Sequence, residues 1–181
     1  GRHPIRLTLA NVKVGQKKFR EALKVYTETL KSFRRNDLKT SEASALYNIG
    51  ISYDSLNEPD KALEYYLKSY ELKNAVADPS LVGSTCHSIA TVYLKLADYE
   101  KTLQFLIEAE KLSKKSDLNW NLIYIYNTYA DYYTKIDEHK KANEYLKRVI
   151  ELTGNLNKKN HQDEITELET RYKTDIYKAQ H

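Results

Sequence analysis

Methionine is absent from this chain of 181 residues, cysteine occurs once, and only 5 glycines and 3 prolines are present. Each shortage removes a class of protein. A lone cysteine, Cys86, excludes an internal disulfide and a thiolate metal cage. So few glycines and prolines argue against a β-sandwich, a disordered linker and a Gly-rich phosphate loop. No long apolar run occurs, so no membrane span lies inside the chain, and no signal peptide is visible. The Gly-Arg-His start and the lack of Met read as a fragment or processed segment of something longer. The histidines at 3, 87, 139, 161 and 181 show no metal-ligand spacing. Neither a P-loop, a nucleophile elbow nor a paired-Cys motif occurs. No catalysis, cofactor or metal is therefore expected.

What remains has the composition of a folded, soluble protein, with 41% apolar and 30% charged residues. Net charge is a mild +4, too little for a global nucleic-acid footprint. It is unevenly spread. Residues 1–40 carry 11 Lys/Arg against 3 Asp/Glu, and residues 41–80 carry 3 against 7. The basic stretch reads first as a solvated helix face. Its alternatives are docking on an acidic partner, on lipid or on the acidic repeat that follows. Nucleic-acid binding through Lys17, Lys18, Arg20, Lys24, Arg34 and Arg35 is not expected, because only Phe19, Tyr26 and Phe33 interleave them.

Three stretches repeat one another every 40 residues without insertions. Gly50, Ala90 and Ala130 fall in register, as do Tyr53, Tyr93 and Tyr133, Leu56, Leu96 and Ile136, and Ala62, Thr102 and Ala142. Self-similarity at a fixed period is the signature of a solenoid. Within a unit, Leu46, Ile49, Gly50, Tyr53 and Leu56 recur at three- and four-residue steps, one face of a helix near 41–56. Asn57-Glu58-Pro59-Asp60 then breaks it, with Asn57 as a cap and Pro59 in a first helical turn. A second helix near 59–75 turns Ala62, Leu63, Tyr66, Ser69 and Tyr70 toward the core. The third unit repeats this with Cys86, Ile89, Leu103, Leu106 and Ala109, the fourth with Tyr126, Tyr129, Leu146 and Val149. Small residues at 50, 62, 90, 130 and 142 mark close helix crossings. A degenerate first unit precedes them: Ala22 and Tyr26 secure a helix near 17–35, its partner near 4–14 is short, and the turn at Val14-Gly15 is out of register.

The runs Tyr47-Asn48-Ile49-Gly50-Ile51-Ser52-Tyr53 and Lys61-Ala62-Leu63-Glu64-Tyr65-Tyr66, with their two echoes, resemble the tetratricopeptide repeat. That resemblance covers roughly residues 17–153 and implies an all-α, right-handed superhelical solenoid of antiparallel helix pairs. The family period is about 34 residues, and the six extra residues are expected around 74–80 and 114–119. The array is expected over 1–156, with a degenerate unit at 1–38 and full units at 41–76, 81–116 and 121–153. Thr153-Gly154-Asn155 reads as a helix-ending turn. A further helix over 157–181 carries a stripe of Ile165, Leu168, Tyr172 and Ile176. It is expected to cap the array, to connect it to something downstream, or to pair two chains as a homodimer.

In this family the first helix of each pair lines a concave groove. Carried over by register, the groove comprises Ser44, Tyr47, Asn48, Ile51, Asp54 and Ser55 in the second unit. In the third it comprises Ser84, His87, Ser88, Thr91, Leu94 and Lys95. In the fourth it comprises Tyr124, Asn127, Thr128, Asp131, Thr134 and Lys135. Asn48 and Asn127 each offer donors and an acceptor to an extended peptide. The Lys/Asn carboxylate clamp of chaperone-binding relatives is not present: its positions hold Tyr47, Ile51, His87 and Thr91. Among the tyrosines, 47, 124 and 132 are not accounted for by the core register. Cys86 reads as a small core residue, and Trp120 as packing at the step between units or else as a partner anchor. The implied function is a non-catalytic protein- or peptide-binding module. The segment Ile165-Thr166-Glu167-Leu168-Glu169-Thr170-Arg171-Tyr172-Lys173-Thr174 also looks like the helix that closes sensory arrays of membrane-bound bacterial regulators. That likeness implies an extracytoplasmic sensor joined to the membrane by a segment outside this chain. A free-standing adaptor in the cytoplasm is the alternative, as is a self-assembly module.

Overall fold

A computed structural model describes residues 3–76, 79–116 and 119–180, with side chains from Leu7 onward apart from those at 76–80, 117–118, 165, 168–169 and 171–181. Eight helices follow one another: α1 (His3–Gly15), α2 (Phe19–Arg35), α3 (Lys39–Ser55), α4 (Pro59–Val76), α5 (Pro79–Lys95), α6 (Tyr99–Lys115), α7 (Asn119–Lys135) and α8 (His139–Gln180). Each packs chiefly on its neighbours in sequence. That one-dimensional contact pattern defines a solenoid.

A finer period underlies the 40-residue one. α2, α3, α5, α6 and α7 are each 17 residues long. Lys17, Asp37, Asn57, Ala97 and Asp137 all take a left-handed backbone conformation, with φ between 51° and 64°. At each of them the helix closes in the same way. After α3, the Asn57 N–H donates to the Asp54 carbonyl at 3.0 Å and the Glu58 N–H to the Tyr53 carbonyl at 2.9 Å. These are the paired bonds of a Schellman ending. The extra residues therefore lengthen the helices; the connections stay short. Asn57 closes α3 rather than starting α4. The turn after α1 is in register after all, because Lys17 stands 40 residues before Asn57 and Gly15 remains helical. None of the five left-handed positions is glycine, and a non-glycine residue there costs about 1–2 kcal/mol. Ala97 has no side-chain polar group to offset that cost. Ala97→Gly is expected to stabilise the protein by about 0.5–1 kcal/mol, after subtracting glycine's greater unfolded-state entropy. Thermal unfolding checks it, and an unchanged or lower midpoint would contradict it.

The core runs as three consecutive clusters along the array. The first is built on Tyr26, Phe33, Leu46 and Ile49, the second on Ala62, Tyr66, Ile89 and Val92, the third on Cys86, Leu106, Ile125 and Tyr129. The third also buries Tyr132, whose ring meets those of Tyr99 and Tyr133, so this tyrosine is structural. Gly50 marks a tight crossing: a Cβ there would lie 2.5 Å from Cδ1 and 2.6 Å from Cε1 of Tyr66. Leu96 and Leu146, in register with core residues, are exposed. Leu96 sits in a turn, and Leu146 lies with Ile150 on the face of α8 that α4 and α6 turn toward a following helix.

The helix end expected at Thr153-Gly154-Asn155 is absent. α8 runs unbroken through these residues for 42 residues. The Thr153 hydroxyl donates back to the Val149 carbonyl at 2.7 Å, inside the helix. A glycine within a helix costs only about 1 kcal/mol, too little by itself to end α8 here. The C-terminal segment is thus an extension of the fourth pair's second helix. The side chains of the Ile165, Leu168, Tyr172 and Ile176 stripe lie outside the described residues. No helix among the described residues is long and apolar enough to cross a membrane.

Candidate functional site

α1 touches α3, and α5 touches α7, whereas no two even-numbered helices make comparable contact. Side chains then join α3 to α5. The odd-numbered helices thus form one continuous wall, and the residues expected to line a groove lie on these helices.

Along that wall, residues one repeat plus one apart are bonded. The Tyr47 hydroxyl lies 3.0 Å from the Ser88 hydroxyl. Asp54 is ion-paired with Lys95. His87 Nε2 lies 2.8 Å from the Thr128 hydroxyl. Closer to the N-terminus, Asn48 donates to Asn11 Oδ1 at 3.2 Å, and Tyr26 donates to the same oxygen. Thr128 itself donates to the Tyr124 carbonyl at 3.1 Å, which leaves its oxygen free to accept from His87 Nε2–H. Burial holds His87 neutral and pulls its pKa down to about 4, against a smaller upward pull from the Tyr124 carbonyl.

Tyr47, Asn48, Asp54 and His87 are therefore struts between units before they are ligand contacts. Tyr47 is the most heavily engaged. Its ring lies 5.4 Å from that of Tyr66, and the buried Lys73 ammonium sits 4.1 Å from its centroid. Lys73 also donates to the Thr85 hydroxyl at 2.7 Å, tying α3, α4 and α5 together. Ile51 packs half-buried beside the second core cluster. Asn127 donates to its own helix at the Ile123 carbonyl, leaving its side-chain oxygen available. Tyr124 stands 60% exposed.

Six further expected residues meet. Thr91, Leu94 and Lys95 of α5 with Asp131, Thr134 and Lys135 of α7 line one depression of about 370 Å3. Both threonine hydroxyls donate back to helix carbonyls, at 3.0 Å for Thr91 and 2.8 Å for Thr134, and present their methyl groups and oxygen lone pairs. Asp131 and Lys135 form no ion pair among the described residues. The depression therefore holds one unpaired charge of each sign beside an apolar leucine.

Two matches to known sequence families fall on this framework. Residues 4–75 and residues 123–156 each match the family described as Tetratricopeptide repeat, and together they cover more than half of the chain. The chain belongs to the tetratricopeptide repeat family. It is accordingly a protein-interaction repeat module. A search of curated proteins finds no match.

Solved structures agree on the fold. BtubC from P. vanneervenii superposes with a TM-score of 0.73 at 17% identity, over 86% of this chain and 64% of that one. Aspartyl phosphate phosphatase F from Bacillus subtilis gives 0.80 at 14% identity, over 86% of this chain and 41% of that one. The apo form of RapI gives 0.62 at 20% identity, over 84% and 68%. This tetratricopeptide array thus spans less than two thirds of the first two.

Outside the groove, Cys86 is fully buried and its thiol is pushed up to about 12, first by burial and then by the nearby Glu108 carboxylate. It stays protonated and serves packing. Trp120 is not buried at the step between units: it is 54% exposed. Sequence register missed three features of this array. Asn11 acts as a strut because the degenerate first unit does join the wall. Lys73 is buried because an aromatic face and a hydroxyl await it. The environment of Trp120 depends on where α8 ends, which its own sequence misstates.

Proposed function

We propose that this tetratricopeptide array is a non-catalytic module that holds an extended segment of a partner protein on the wall of odd-numbered helices, centred on the depression between α5 and α7. The observation that carries the reading is the convergence of Thr91, Leu94, Lys95, Asp131, Thr134 and Lys135 on one cavity. A segment seated there would place an apolar side chain against Leu94 and charges of opposite sign against Asp131 and Lys135. The exposed Tyr124 and the Asn127 side-chain oxygen extend the contact along α7, the latter toward backbone N–H groups. We further place the module in a larger bacterial regulator, as its sensory or scaffolding part, on the ten-residue likeness at 165–174. The reading frame beyond His181 tests that placement, because an immediate stop would end it.

Peptides selected from a displayed random library against the native protein test the groove. Asp131→Lys and Lys135→Glu are each expected to weaken the selected peptides about five- to tenfold, equivalent to about 1 kcal/mol, with unfolding midpoints unchanged because both side chains are exposed. Peptides that bind both variants as tightly as the native protein would move the site elsewhere.

A further inference from the structure

Among the second helices of the pairs, α8 alone overshoots. α2, α4 and α6 end at Arg35, Val76 and Lys115, shortly before the next helix begins, whereas α8 continues to Gln180. α7 and α8 run antiparallel from a three-residue turn, so residues beyond Asn155 project past the first residue of α7. At 1.5 Å per residue, the stretch 156–163 reaches about 10 Å further. Leu156, Lys159, Asn160 and Asp163 recur there at three- and four-residue steps and form one face. Facing them is the first turn of α7, with Asn119, Trp120 and Asn121. Together these residues enclose an open corner of about 330 Å3.

The corner has a definite chemistry. Trp120 is the only tryptophan of the chain, and its indole is 54% exposed. Helix side chains lean toward the helix N-terminus, which brings the indole to the overshoot rather than into the array. Around it stand three carboxamides, one carboxylate and one ammonium. The side chains of Asn121, Lys159, Asn160 and Asp163 have no partner among the described residues. The Asn121 and Asn160 carboxamides each offer two donors and an acceptor, the carboxylate accepts and the ammonium donates. The charges cancel. An anionic ligand would meet Asp163 beside a single cation, and a large apolar side chain would find only Leu156 and Trp120.

A ring with an apolar face and a rim of hydroxyls matches this set. We propose that the corner is a binding site for a neutral pyranose sugar, with the C–H face of the ring on the Trp120 indole and its hydroxyls on Asn121, Asn160 and Asp163. The volume lies at the small end of ligand sites, about 300–1,000 Å3, and suits a terminal ring rather than a long chain. The site is separate from the peptide groove, since none of its residues lines the depression between α5 and α7, so either can fail alone.

The single tryptophan makes the test direct. The native protein is titrated with maltotriose, cellotriose and triacetylchitotriose while the indole emission and the indole N–H resonance are followed. A saturable shift of both with at least one sugar is expected. Asn160→Ala and Asp163→Ala should each weaken it about fivefold, the effect of one hydrogen bond, without lowering the unfolding midpoint. Calorimetry on Trp120→Ala should show no binding. An indole signal unmoved by all three sugars would overturn the proposal. So would a shift equal in native and variant proteins, or one produced by short peptides and by no sugar.

Discussion

Gly50→Ala is expected to destabilise the array by about 2 kcal/mol. The added methyl would stand 2.5 Å from one ring carbon of Tyr66 and 2.6 Å from the next. Tyr66 has little room to retreat, since it is 3% exposed and packs with Ile89, Val92 and Tyr93 on one side and Tyr47 on another. Overpacking costs about 1–3 kcal/mol; a contact this short against a buried ring falls at the top of that range, and about 2 kcal/mol is left after the better helix propensity of alanine returns about 1 kcal/mol. The midpoint of thermal unfolding should fall by about 4–8 °C. The next unit contains the natural compensation: Ala90 occupies the Gly50 register, and Leu106 that of Tyr66, both fully buried. Tyr66→Leu should therefore be costly in the native background and nearly neutral beside Gly50→Ala. A double-mutant cycle with no coupling between positions 50 and 66 would show that the crossing is not set by this pair.

Acidification through the histidine range is expected to remove stability, with His87 responsible for about 3 kcal/mol of it. The ring accepts a proton in the unfolded chain near pH 6.5 but in the folded protein only near pH 4, because burial opposes its charge. Between these values the unfolded state binds more protons, so stability rises with pH there and falls as pH drops. Above about 6.5 the contribution is complete, and below about 4 it has gone. The groups facing the ring are the Thr128 hydroxyl and the Tyr124 carbonyl, and neither titrates in this window. His87→Gln keeps a donor toward Thr128 and removes the titration. Urea unfolding at pH 7 and pH 4 compares the two proteins. The stability difference between the two pH values should shrink by about 3 kcal/mol in the variant. Parallel profiles for native protein and variant would mean that the ring is protonated freely in the folded array.

The periodic part of the architecture was open to reading because it is local. Gly50, Ala90 and Ala130 mark crossings wherever two helices must approach, and the tyrosines three residues later fill the adjacent space. Groove register carried over from family likeness also placed six residues around one depression. It could not tell ligand contacts from struts. Tyr47, Asp54 and His87 look like free polar groups in one helix, and become bonded only when the next helix brings Ser88, Lys95 and Thr128 opposite. The shared left-handed turn was hidden for another reason: Lys17, Asp37, Asn57, Ala97 and Asp137 share a conformation and no residue type.

The sequence by itself determined that this is an all-helical repeat array and which faces of its helices are buried. Those follow from spacing, and spacing is a property of the chain. The tertiary structure alone decided which groove residues remain unpaired, that α8 passes through Gly154, and that its overshoot meets Trp120 in a polar corner. These depend on groups far apart in sequence, which only the packed helices bring together.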